Sequence, residues 1–182
     1  MKMLLFAFAL LTISTLSSNC QTTSMIAKFE TSAFEHTVDN KLYSISYPND
    51  WTFEMSKDSD LTFLLYPTPT QKNDIIDKLM QLSFTDIVSG DSDIQSWSNT
   101  FEGLIKTNLN GNLIESKPLN YHGKDLHKFI YEYNQDKDKF KVEQFIWIKD
   151  EKSINLIIMC KKNDFEKFSQ TAEKIMQTFK LK

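Results

Sequence analysis

Tyr43-Ser44-Ile45-Ser46-Tyr47-Pro48-Asn49-Asp50-Trp51-Thr52-Phe53 is the stretch whose reading decides the fold. Tyr43, Ile45 and Tyr47 alternate with serines, the period of a half-buried strand. Pro48-Asn49-Asp50 interrupts that strand. Proline fixes φ and has no N–H to donate, and Asn and Asp satisfy their own backbone in turns. Trp51, Phe53 and Met55 resume the alternation. The pattern predicts strand, tight turn and strand: a hairpin at the start of a β-rich domain.

Upstream, the first 19 residues read as an export signal. Lys2 supplies the positive charge, and Leu4–Leu11 is an unbroken apolar run. A secretory apolar region needs about 7–15 residues and a membrane-spanning helix about 20, so the length fits a signal. The run ends at Leu16-Ser17-Ser18-Asn19-Cys20, which resembles a bacterial lipoprotein signal with Cys20 as the lipidated first residue. Ser17 and Asn19 depart from the aliphatic and small residues of that pattern, and Leu16 lies one position early. Plain cleavage near Cys20, leaving a soluble exported protein, is the alternative. Residues 20–32 lack periodicity and read as a tether, which leaves 33–182 as one domain.

The formal net charge is −3, and every one of the 21 basic residues is a lysine. Nucleic-acid recognition leans on bidentate guanidinium contacts, so no nucleic-acid partner is expected. Of the two cysteines, Cys160 lies inside the apolar run Leu156–Cys160 and reads as a buried, inert thiol.

Along the domain, short strands are predicted at Phe34–Val38, Leu42–Tyr47, Thr52–Ser56 and Leu61–Tyr66, and one or two helical turns at Asn73–Met80. Gln81–Val88 alternates as a strand. Ser92-Asp93-Ile94-Gln95 has capping-box form ahead of an apolar stripe at Ile94, Trp97, Phe101, Leu104 and Ile105. Asn110-Gly111 ends that helix. Strands follow at Leu113–Tyr121, Leu126–Tyr133, Val142–Lys149 and Ile154–Lys161, joined by short polar turns, which implies an antiparallel sheet. Phe145–Ile148 and Leu156–Cys160 are apolar on both faces, so the middle of the sheet is covered on both sides. Phe165, Phe168, Ala172, Ile175, Met176 and Phe179 form the stripe of a closing helix. The expected fold class is α+β: a mostly antiparallel twisted sheet sandwiched between helices in three layers.

Candidate chemistry is sparse. His122, Asp125 and His127 cluster around Gly123-Lys124, read as a two-residue turn. Zinc would want further ligands, and surface hairpin residues are the simpler reading. Asp91, Asp93 and Glu102 echo a calcium loop, but Ser96 stands where that loop needs glycine. Acidic residues also favour a helix N-terminus by themselves. Asp136–Lys139 reads as a solvated hairpin tip. Tyr131, Tyr133, Phe145 and Trp147 could form an aromatic patch for sugars or peptides, or could be core. Nucleophile elbows, Gly-rich phosphate loops, paired-cysteine motifs and His-Glu-x-x-His are all absent from the sequence. No catalytic residue, cofactor or metal site is assigned, and an enzyme is not expected.

The stretch Tyr43–Trp51, with its Tyr-Pro-x-x-Trp turn, resembles the opening of the PsbP-like family, named for an extrinsic subunit of photosystem II. Its relatives include DcrB-type envelope lipoproteins and a Ran-binding nuclear-import factor. A mid-chain helix at Asp93–Leu109 agrees, as do the three long strands after it and the closing segment Glu173–Phe179. The resemblance covers roughly residues 33–181. It implies the same sheet-and-helix fold and a partner-binding or assembly role, with no common catalytic activity. The photosynthetic members' manganese and calcium association does not carry over, because no ligand residues match. The expected role is a lipid-anchored, non-catalytic module that binds an unknown envelope protein. The alternative is a small-ligand carrier with a pocket between sheet and helix.

Overall fold

Ten strands and two long helices follow one another in a computed structural model that describes residues 34–56, 59–70, 76–87 and 93–182. The signal, Cys20 and the tether lie outside the described residues, as does Asp91.

The strands form two antiparallel sheets. The larger has seven strands in the order β3-β4-β5-β9-β8-β7-β6. They are β3 (Trp51–Ser56), β4 (Ser59–Pro67), β5 (Lys78–Asp86), β6 (Asn112–Tyr121), β7 (Lys124–Gln135), β8 (Asp138–Lys149) and β9 (Lys152–Lys161). The smaller has the order β1-β2-β10, with β1 (His36–Asp39), β2 (Tyr43–Tyr47) and β10 (Lys180–Leu181). Helix α1 spans Ile94–Asn108, and α2 spans Phe165–Thr178 after a 3-10 turn at Lys162–Asp164.

The sequence-predicted hairpin is corrected by this topology. β2 and β3 are strands, but they do not pair with each other. β2 lies between β1 and β10, so both its backbone edges are occupied. β3 pairs with β4. Pro48-Asn49-Asp50 is therefore a corner that carries the chain from one sheet to the other, closed by the Trp51 N–H donating to the Pro48 carbonyl at 3.1 Å. Tyr43 and Ile45 are fully buried between the sheets, and the Trp51 indole stacks on Phe168 of α2 with centroids 5.5 Å apart. Burial of alternate residues constrains a strand's face but not its pairing partner.

Of the helical turns expected at Asn73–Met80, residues 73–75 lie outside the described residues, and the end of the stretch is corrected. The segment from Lys78 onward is strand, with Met80 fully buried beside Leu65 and Ile158. Two long-range ladders outweigh a short stretch of helical spacing.

The two faces of the large sheet are covered differently. Phe101 and Ile105 of α1 pack on Phe129, Tyr131, Val142 and Ile146. On the opposite face Leu156, Ile158, Cys160 and Trp147 meet α2 and the small sheet together. The sandwich is therefore a helix on one side and a helix plus a three-stranded sheet on the other, which modifies the expected helices-only layers.

Helix starts and stops follow local chemistry. Asp93 caps α1, its carboxylate accepting from the Ser96 N–H at 2.8 Å. At the other end Asn110, at φ 47°, takes the left-handed turn. Gly111 is needed for space: a Cβ there would sit 2.9 Å from Ile105 Cγ2 and 3.2 Å from the Glu132 carbonyl.

Buried polar groups on the α1 side of the sheet satisfy one another. Tyr131 Oη donates to Gln144 Oε1 at 3.0 Å, Gln144 Nε2 to Asn155 Oδ1 at 3.0 Å, and Asn155 Nδ2 to Ser153 Oγ at 3.2 Å. This line crosses three strands. Burial pushes the Tyr131 phenol pKa upward, so it remains a neutral donor.

Candidate functional site

A cavity of about 210 Å³ opens where the β6–β7 turn meets the segment after α2. Its lining is Tyr121, His122, Lys124, Trp147, Phe179, Lys180 and Leu181. The floor is aromatic. Trp147 and Phe179 are almost fully buried, with ring centroids 5.6 Å apart. Tyr121 forms a wall, fixed by its Oη donating to the Met176 carbonyl of α2 at 2.7 Å. Burial raises the Tyr121 pKa, so the phenol is a neutral donor.

The rim is positive. Tyr121 pairs with Lys124, so the two-residue turn is His122-Gly123, one position earlier than expected. Both turn residues have positive φ, 50° and 77°, as a tight hairpin of this twist requires. His122 is therefore exposed at the tip, its ring edge-on to Tyr121 at 4.2 Å. Lys180 reaches the same opening from β10, held in register by its pairing with Ser44.

His127 lies elsewhere. It is 3% exposed, beneath α1, with Nε2 2.8 Å from Ser116 Oγ and its ring stacked on Phe129 at 4.6 Å. The surface-hairpin reading holds for His122 and fails for His127. Asp125 accepts from Asn120 Nδ2. The three residues do not converge, and among the described residues no group of three or more His, Cys, Asp or Glu side chains is placed to hold a metal ion.

The suggested aromatic patch divides between the sheet's faces. Tyr131 packs with the α1 cluster and Tyr133 against it, while Phe145 and Trp147 pack on the α2 side. Three of the four are buried, so they are core, and Trp147 also lines the cavity. Cys160 is fully buried and its thiol is pushed up to about 12, chiefly by burial, with Asp164 adding to it. Sequence reasoning missed Lys124 and Lys180 as neighbours. They are 56 positions apart, and nothing local marks β10 as the strand that joins β2.

No protein-family model and no curated protein sequence matches the chain. Solved structures do match in fold. The cyanobacterial PsbP protein, CyanoP, of Synechocystis sp. PCC 6803 aligns with TM-score 0.57 at 13% identity, covering 81% of this chain and 92% of that one. LpqN of Mycobacterium tuberculosis, involved in cell envelope biogenesis, aligns with TM-score 0.57 at 13% identity, covering 80% and 89%. The Ran-binding protein Mog1p of Saccharomyces cerevisiae aligns with TM-score 0.52 at 9% identity, covering 80% and 94%. The chain thus has the Mog1/PsbP-like fold that the Tyr43–Trp51 resemblance implied.

Proposed function

We propose that the protein is an exported, lipid-anchored, non-catalytic module of the bacterial cell envelope that binds another protein and supports assembly or upkeep of an envelope complex. The observation that carries this reading is the leader: Lys2, the apolar run Leu4–Leu11 and Leu16-Ser-Ser-Asn-Cys20 stand ahead of a domain with this fold. The same fold in a mycobacterial protein of cell envelope biogenesis and in a Ran-binding yeast protein supports a binding role in the envelope. The chemistry of the described core points the same way. A thiol raised as far as that of Cys160 is a poor nucleophile. The buried carboxylates Glu132 and Glu143 are engaged by Lys139, Lys162 and Lys128. The cavity, at about 210 Å³, is smaller than the roughly 300–1,000 Å³ usual for a carrier of drug-sized ligands.

The test is a pair of strains carrying the natural chain or Cys20→Ala, labelled with a clickable palmitate analogue and fractionated. The natural chain takes up label and sediments with membranes; the variant does neither. Cross-linking in intact cells, followed by capture of the natural chain, then recovers one stoichiometric envelope protein. Equal fractionation of the two chains overturns the anchor, and a solitary protein after cross-linking overturns the assembly role.

A further inference from the structure

We propose that the cavity between the β6–β7 turn and β10 binds a small apolar anion, a carboxylate carried on one aromatic ring or a short acyl chain. This inference does not rest on the lipid-anchored reading.

Shape sets the size of the guest. The cavity of about 210 Å³ accepts a ring or a short chain but little more. Its floor includes the almost fully buried Trp147 and Phe179, both held by the core behind them: Phe179 stacks against Tyr43 at 6.1 Å, and Trp147 neighbours Phe145 at 6.5 Å. Such a floor gains by covering apolar surface and cannot reorganise cheaply.

Charge sets the guest's sign. His122, Lys124 and Lys180 stand at the opening, and no carboxylate is in the lining. Neighbouring acceptors are already engaged. Asp125 accepts from Asn120, Asp39 pairs with Lys182, and the Lys182 main-chain oxygen accepts from Lys149. Lys124 and Lys180 make no ion pair with any described residue. On a chain whose formal net charge is −3, two lysines in the lining of one largely apolar cavity, with no ion pair among the described residues, form a local excess of positive potential. A carboxylate there would gain charge-assisted hydrogen bonds while its apolar body covers the rings.

The fold also gives this site definite geometry. Lys124 begins β7 immediately after a two-residue turn, and Lys180 is set by the β10–β2 register. Tyr121 cannot swing away without losing its bond to the Met176 carbonyl. The rim cations are therefore mounted on short, paired backbone.

The experiment uses the full-length chain labelled with 5-fluorotryptophan, in lipid-free buffer. Its three tryptophans, Trp51, Trp97 and Trp147, give separate fluorine resonances, with Trp147 assigned by Trp147→Phe. Phenylacetate and hexanoate are titrated beside phenylacetamide. The expected result is a saturable shift of the Trp147 resonance with both carboxylates and about tenfold weaker binding of the amide. Lys124→Gln with Lys180→Gln abolishes that preference while the Trp51 and Trp97 resonances stay in place. The double Arg replacement retains it. An unsaturable or absent Trp147 response overturns the proposal. So does amide binding equal to that of phenylacetate, or a carboxylate preference that survives the double Gln replacement.

Discussion

Beneath α1, His127 has one ring nitrogen satisfied by Ser116 and the other, Nδ1, buried without a partner. Burial lowers its pKa from the usual 6.5, and the Glu102 carboxylate offsets this in part. The unfolded chain therefore takes up a proton near pH 6.5 that the folded chain resists. The stability contributed by neutral His127 is complete above that pH and is lost as pH falls toward the folded value. Between pH 7 and pH 5 the urea midpoint of the natural chain should fall further than that of His127→Gln; parallel curves would contradict the burial. Glu132 acts in a lower window. Lys162, hydrogen-bonded to it, and then Lys139 hold its carboxyl below the ordinary 4.5. That contribution is present above about pH 4.5 and disappears as pH falls through the folded value, so Glu132→Gln should flatten the acid limb and leave the His127 window unchanged. Neither role is legible in the sequence. His127 sits two residues after an acidic position in a turn-rich stretch, and a one-residue shift of the turn decides which hairpin residues face α1.

The Pro48 corner shows what periodicity can and cannot fix in an element. The buried face of β2 follows from the alternation at Tyr43 and Ile45, whereas on β3 the alternation holds at buried Trp51 and half-buried Phe53 and fails at Met55, which is exposed. Which strand each pairs with depends on competitors far along the chain. β10 fills one edge of β2, and Thr178 of α2 extends that contact, its Oγ1 accepting from the Ser46 N–H at 2.8 Å. Trp51→Ala removes the indole that stacks on Phe168 and should cost about 3–5 kcal/mol in chemical denaturation. A loss under about 1 kcal/mol would mean that the corner is not core. α1 offers a contrasting test. Gly111→Ala drives a methyl into Ile105 and the Glu132 carbonyl, so overpacking of about 1–3 kcal/mol is expected. The same substitution at Gly103, where nothing lies within 4 Å of the added carbon, should stabilise by a few tenths to about 1 kcal/mol, since alanine is the better helix former. The sequence correctly ended α1 at Asn110-Gly111. It did not show that Asn110 takes the left-handed conformation while Gly111 is required for close approach.

At the scale of the whole molecule, the Tyr43–Trp51 stretch with the order and spacing of the elements was enough to read the fold family and the antiparallel sheet, but not the division into a seven-stranded and a three-stranded sheet, although the matched structures share only 9–13% identity. Burial patterns tolerate exchange among apolar residues, so architecture persists where sequence does not. Partner and ligand contacts have no such redundancy, because a few side chains carry them. This is why Lys124 and Lys180 became neighbours only once β10 was placed. The placement of β10 has a consequence for cooperativity. The small sheet is tied to the rest through Lys180-Leu181 pairing on β2, the Lys182 N–H donating to the Leu42 carbonyl at 2.8 Å, and the Lys182–Asp39 ion pair. A chain stopped after Phe179 loses these bonds while keeping the aromatic stripe of α2 and the β5-β9-β8-β7 ladders intact. A net loss of about 1 kcal/mol per backbone hydrogen bond would accelerate amide exchange across residues 36–47 by tenfold or more, read by hydrogen-exchange mass spectrometry. Exchange in β8 and β9 should change little, because their hydrogen bonds open only with the large sheet. Equal acceleration in both sheets would instead make the C-terminal strand a keystone of global stability, with the small sheet and the large one unfolding as one unit.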